Sequence, residues 1–178
     1  IIHANSRTYT IFVDQPIDIS IPLRATNDNV NAWNLPPPKI YPAKIKKWKG
    51  SVKSGGAVNF NSIEFNPHAH GTHTECVGHI TKDIQSINSS LKQFLFVSEV
   101  ITVVPEKRDD DLIISEKQLR YAIGNKKREA IVIRTLPNTN DKLNRQYANT
   151  NPPYLSESGA IYLSCLLYTS DAADDFTS

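Results

Sequence analysis

An α/β fold is the architecture this sequence predicts, and three stretches carry the prediction. Two apolar, β-branched runs at residues 93–104 and 129–136 flank a short amphipathic segment that opens on Ser115 with Gln118 three residues later. Strand, capped helix and strand in series is the pattern of an α/β unit. The composition supports it: 178 residues, 39% hydrophobic and 21% charged, make one globular domain with a core rather than a disordered or fibrous chain.

Residues 9–13 and 17–23 read as short strands. In the second, Ile17, Ile19 and Ile21 alternate with Asp18 and Ser20, as a half-buried strand requires. Residues 24–49 are rich in Asn and Pro, and Pro36, Pro37 and Pro38 in succession cannot donate to a ladder, so a loop or flap is expected there. Within it Lys39, Lys44, Lys46, Lys47 and Lys49 gather near Trp33 and Trp48. That is either a surface for an anionic or aromatic ligand or a solvated face with one anchoring tryptophan.

Gly55 and Gly56 supply a turn into the alternating residues 58–65, a strand that runs straight into a histidine-rich segment. Residues 93–104 hold Phe94, Phe96, Val97, Val100, Ile101, Val103 and Val104 before Pro105, which predicts one or two core strands. Ser115 caps a helix whose apolar stripe is Leu119, Ala122 and Ile123, ending at Gly124. The AIVIRTL run after Glu129 is a buried strand, residues 137–151 are a long polar connection, and Ser156 begins a helix through Leu163. No internal repeat or second domain stands out.

From Cys165 the packing period is lost, and CLLYTSDAADD resembles a reading-frame translation of a sequencing-library adapter. Residues 1–164 are therefore expected to hold the folded domain and 165–178 a non-native tail, a natural frayed end being the alternative. Twenty Lys and Arg against 18 Asp and Glu give no electrostatic case for a nucleic-acid or anionic-membrane partner. Two cysteines do not make a disulfide scaffold, and no apolar run approaches the roughly 20 residues of a membrane span. Residues 1–8 lack a signal pattern, so the expected location is cytoplasmic, although a lost leader would leave the same record.

Four of the five histidines fall within NPHAHGTHTECVGHI as His68, His70, His73 and His79, together with Glu75 and Cys76. Imidazoles and a carboxylate on one short segment can share a divalent ion if the backbone brings them to one side. His73 and Glu75 are two apart, so an extended segment points both the same way. Such an ion lowers the pKa of a water and polarises a carbonyl while a neighbouring histidine shuttles the proton, which is the chemistry of amide or ester hydrolysis. The competing readings are a solvent-facing polar loop and a structural metal. Cys76 is either a soft ligand or nucleophile or a buried neighbour. Neither a G-x-S-x-G elbow nor a phosphate-binding glycine loop occurs.

The segment HAHGTHTECVGH, preceded by DISIPL and followed by NTNPPYL, resembles the putative cyclase family, which includes bacterial kynurenine formamidase and whose usual signature is H-x-G-T-H-x-D-x-P-x-H. The resemblance implies a swivelling β/β/α fold, here truncated at its C-terminus. It also implies zinc or manganese, a homodimer or higher homo-oligomer, and hydrolysis of a small-molecule formamide such as N-formylkynurenine, or of related amides, esters and lactones. On this correspondence His73 is a metal ligand, Glu75 stands at the bridging aspartate, and His79 stands at the histidine that gives and takes the proton. The family's first ligand histidine falls on Ala69, so His68 or His70 must replace it, and Val77 stands at the usual proline. A later histidine and glutamate of the family would follow Ser164, so this chain is expected to be weakly active or inactive alone.

Overall fold

The computed structural model describes residues 1–4, 7–124 and 128–168. It is mixed α/β and forms two units interleaved along the chain: residues 19–87 with 139–150, and residues 1–18 with 88–138 and 151 onward.

The chain opens on a small antiparallel ladder, β1 (Ile2–Ala4) against β2 (Arg7–Tyr9), with Ile2 opposite Tyr9. The strand expected at residues 9–13 is thus corrected to one that ends at Tyr9. Residues 17–23 form no strand, and Ile17 and Ile19 are 89% and 90% exposed. Alternation supplies a face, but a strand also needs a ladder partner, and among the described residues none pairs there.

In the unit of residues 19–87 and 139–150, β3 (Lys39–Pro42) pairs antiparallel with β6 (Asn61–Glu64), Lys39 opposite Glu64 and Pro42 opposite Asn61. Between them a tight hairpin joins β4 (Lys44–Ile45) to β5 (Trp48–Lys49) through Lys46, whose φ of 56° lies in the left-handed region such turns demand. The stretch expected as loop or flap therefore contains three strands. The three consecutive prolines precede β3, and Pro42 occupies its last position, so the missing donors cost the ladder little. Trp48 meets Phe60 edge to face with ring centroids 5.7 Å apart. Beyond β6 lies the single helical turn α1 (Pro67–His70), then a 3-10 turn at Val77–His79; another helical turn, α2 (Ile87–Ser90), begins at the last residue of this segment and continues into the other unit.

In the other unit β7 (Ser98–Val103) pairs parallel with β10 (Ala130–Thr135), Ser98 opposite Ala130 and Val103 opposite Thr135. The crossover contains the hairpin β8 (Glu106–Arg108) and β9 (Asp111–Ile114), followed by helix α3 (Glu116–Ile123). Then β11 (Tyr154–Leu155) joins β9 in parallel and leads into α4 (Glu157–Tyr168). Leu119 and Ile123 of α3 bury against Ile101, Val103 and Ile114, with Tyr162, Leu163 and Leu166 of α4 packed on the same cluster. Phe94 and Phe96, expected in this core, are 75% and 42% exposed because they precede the first ladder pair at Ser98. Helix α4 continues past Ser164 to Tyr168, and residues 169–178 of the expected tail lie outside the described residues. Among the described residues no helix is long and apolar enough to cross a membrane.

Candidate metal centre

Local chemistry builds the histidine segment. Asn66 caps α1: its side-chain oxygen accepts from the His68 N–H at 2.9 Å, and its carbonyl accepts from Ala69 and His70 at 3.1 and 2.9 Å. Pro67 takes the first helical position, where no donor is needed. The turn stops at Gly71, and the following residues run without helix to the 3-10 turn at Val77–His79, which carries His79 back towards Glu75. Gly78 makes that return possible, because a Cβ there would sit 2.3 Å from the Gln85 carbonyl oxygen. Cys76 donates its thiol to the same oxygen at 3.3 Å, which places it as a neighbour that helps close the loop.

Three imidazoles converge on one carboxylate oxygen. Glu75 Oε2 lies 3.4 Å from His68 Nδ1, 3.4 Å from His73 Nε2 and 3.8 Å from His79 Nε2. The rings of His68 and His79 stack at 4.4 Å between centroids with 20° between planes, and His68 meets His73 edge to face at 4.5 Å. His73 Nδ1 sits 3.2 Å from the Gly71 carbonyl oxygen. A carbonyl only accepts, so Nδ1 carries the proton and Nε2 turns its lone pair to the cluster, the tautomer and orientation that a metal-binding histidine needs.

The ligand atoms of His68, His73 and Glu75 all lie within 4.8 Å of one another. A tetrahedral ion with bonds of about 2.0–2.1 Å has ligand–ligand edges of about 3.3–3.4 Å. The two carboxylate–imidazole edges match that spacing, and with the imidazole–imidazole edge no longer than 4.8 Å the donor set can close on one divalent cation by a small inward movement of the two rings.

His70 stands apart from this group. It is buried, its Nδ1 accepts from the Asn66 N–H at 2.9 Å, and its Nε2 lies 3.0 Å from the Pro36 carbonyl oxygen. Of the two replacements considered for the family's first ligand, the fold brings His68 into the cluster and directs His70 to the backbone. Ala69, between the two histidines, is buried. Sequence reasoning missed Asn66 and Asn29. The first was legible as an Asn-Pro cap before the histidines, whereas Asn29 bonds the His70 carbonyl 41 residues away and left no local signal.

Residues 17–165 match the family described as Putative cyclase. The chain belongs to that family, and membership points to an enzyme of the cyclase-like hydrolase kind. Comparison with curated proteins gave no match, and comparison with solved structures gave none either.

Proposed function

We propose that this cyclase-family chain is a metal-dependent hydrolase of a small amide, with a formamide such as N-formylkynurenine as the first substrate to test and His68, His73 and Glu75 as the residues that hold the ion. The observation that carries the reading is the approach of His68 Nδ1 and His73 Nε2 to Glu75 Oε2 at 3.4 Å each, the edge length of a tetrahedral site, with His79 Nε2 beside them at 3.8 Å. Two nitrogens and one oxygen suit zinc, and the carboxylate also admits manganese. A divalent cation held there supplies a water of lowered pKa and a polarised carbonyl.

The chain's own residues do the rest. Gly71 holds His73 in the tautomer that offers Nε2, and Glu75 supplies the negative charge. His79, stacked on His68 with Nε2 3.8 Å from Glu75, takes a proton from the attacking water and returns it to the leaving nitrogen. The proposal includes the swivelling β/β/α arrangement of the family, assembly as a homo-oligomer and a cytoplasmic location. A related ester or lactone hydrolase, or a dehydratase, is the second reading, favoured by Ala69 at the family's ligand position and Glu75 at its aspartate.

The test measures bound metal and N-formylkynurenine hydrolysis for the protein and for His73→Ala. Stoichiometric metal and chelator-sensitive turnover, both lost in the variant, support the proposal. Metal with turnover of an ester or lactone but not of the formamide moves the assignment to the second reading, metal without turnover of any of them leaves the cluster as a metal site without the proposed activity, and absence of metal binding overturns the role of the cluster.

A further inference from the structure

We infer that His70 is a positioning residue for the metal cluster, a neutral imidazole that splints the turn bearing His68 and does not itself bind the ion. The inference rests on the metal-centre reading above and adds to it a residue that contacts neither metal nor substrate.

The tautomer follows from the partners. A backbone N–H only donates, so the bond from Asn66 N–H to Nδ1 at 2.9 Å leaves Nδ1 without a proton. A carbonyl only accepts, so the contact of Nε2 with Pro36 at 3.0 Å requires the proton on Nε2. One tautomer, neutral with Nε2–H, satisfies both bonds, and with both nitrogens so engaged in a buried residue neither retains a lone pair for a cation.

These bonds bear on His68 through the backbone. Asn66 Oδ1 holds the His68 N–H while the His70 ring holds the Asn66 N–H. The arrangement has the logic of a capping box, with an imidazole at the fourth helical position in place of Glu or Gln at the third. The turn is also tied to the preceding loop at its carbonyls. Asn29, itself 2% exposed, donates its Nδ2 to the His70 carbonyl at 3.0 Å, and the Ala32 N–H donates to the Ala69 carbonyl at 3.0 Å.

A helix of four residues has no stability of its own, since nucleation fixes several dihedrals for each hydrogen bond gained. Its orientation, and with it the direction of His68, therefore depends on these ties. The His70 ring is the side chain that joins the cap to Pro36.

The experiment compares the protein with His70→Ala, His70→Asn and His70→Gln. Asn keeps an acceptor near the place of Nδ1, Gln keeps a donor near the place of Nε2, and Ala keeps neither. Zinc affinity and stoichiometry are read by competition with a chromophoric chelator, folding by far-UV circular dichroism, and the ring by its 15N shifts without metal. Zinc at unchanged stoichiometry, with affinity lowered about 10- to 100-fold in Ala and partly restored in Asn or Gln, is the expected result. The ring shifts should show Nε2–H.

Wild-type affinity in His70→Ala overturns the inference, as does a ring protonated on Nδ1. Loss of stoichiometric zinc in all three variants, as expected for His73→Ala, makes His70 a ligand and overturns it too. If the unmodified protein binds no zinc, it is the metal-centre reading that fails. Should His70→Ala not fold, the Asn and Gln variants, each keeping one bond, carry the comparison.

Discussion

Glu75 places a single carboxylate oxygen within 4 Å of ring nitrogens from His68, His73 and His79, and all four side chains remain partly exposed. Exposure separates function from stability here, because surface substitutions away from special features usually change stability by about 0.5 kcal/mol or less. Glu75→Gln keeps the shape and removes the charge. It should leave the urea midpoint nearly unchanged while zinc affinity falls by at least the roughly 10- to 100-fold seen when a mere supporting partner is lost; unaltered affinity in a chelator competition would refute the ligand role of Glu75. The pairing of His73 with Glu75 was legible because both lie in a non-helical run, where residues two apart share a side. The choice between His68 and His70 was not. An extended segment would put them together, but α1 is a helical turn, in which residues two apart face roughly opposite directions. What the sequence hides at this scale is the local backbone state, and one short turn decides it.

At the scale of elements, legibility follows the range of the interactions. Helix α3 is set by neighbours in sequence: the Gln118 N–H donates to Ser115 Oγ at 3.3 Å, and the Ser115 N–H donates to Gln118 Oε1 at 3.1 Å. Ser115→Ala should therefore cost about 1 kcal/mol, read as a lower urea midpoint at constant m-value. Leu119→Ala, at a fully buried position of the same helix, should cost about 2–5 kcal/mol in that assay. Strands β7 and β10 were visible as dense apolar runs, but the buried strand expected after Glu129 is only half-buried, because one face of the pair packs on the core with Ile101 and Val103 while Val100 and Val132 on the other are 61% and 49% exposed. Strands β3 to β5 were masked by Asn, Pro and Lys, since their ladder comes from register with residues 61–64 and from the turn at Lys46. Residues 17–23 show the converse, a strand-like alternation without a ladder partner among the described residues. Gly78 brings the backbone close to the Gln85 carbonyl. Its substitution by Ala would press a Cβ against the Gln85 carbonyl and shift the turn that carries His79, so Gly78→Ala should lower zinc affinity or turnover more than overall stability.

Over the whole molecule, the two units hold themselves together by different means. One has a core of Ile101, Val103, Ile114, Leu119 and Ile123, whereas the buried side chains of the other include Asn29, Ala43, Ala69 and His70, small or polar groups secured by hydrogen bonds. Two exposed carboxylates of the second unit are held below the usual range: Glu64 by the hydroxyl of Tyr41 and then by Lys39, Asp141 by the hydroxyl of Thr139 and then by Arg145. With the folded pKa depressed, each contribution is complete above the unfolded carboxylate pKa and is lost as pH falls through the folded one. Acidification into and below the ordinary carboxylate range should therefore lower the urea midpoint modestly, and a Glu64→Gln, Asp141→Asn pair should flatten that slope. The same contrast predicts where an ion acts. A ligand that binds only the folded form stabilises by about 2.7 kcal/mol at 100 times its Kd, which is about 100-fold in the opening equilibrium. Because the cluster lies in the unit with little apolar core, zinc should slow amide exchange across residues 66–85 and leave β7, α3 and β10 close to their metal-free rates. Hydrogen-exchange mass spectrometry with and without zinc reads this peptide by peptide. Equal slowing in both units would show that they open together and would refute the separation, while no slowing at residues 66–85 would remove the ion from the cluster.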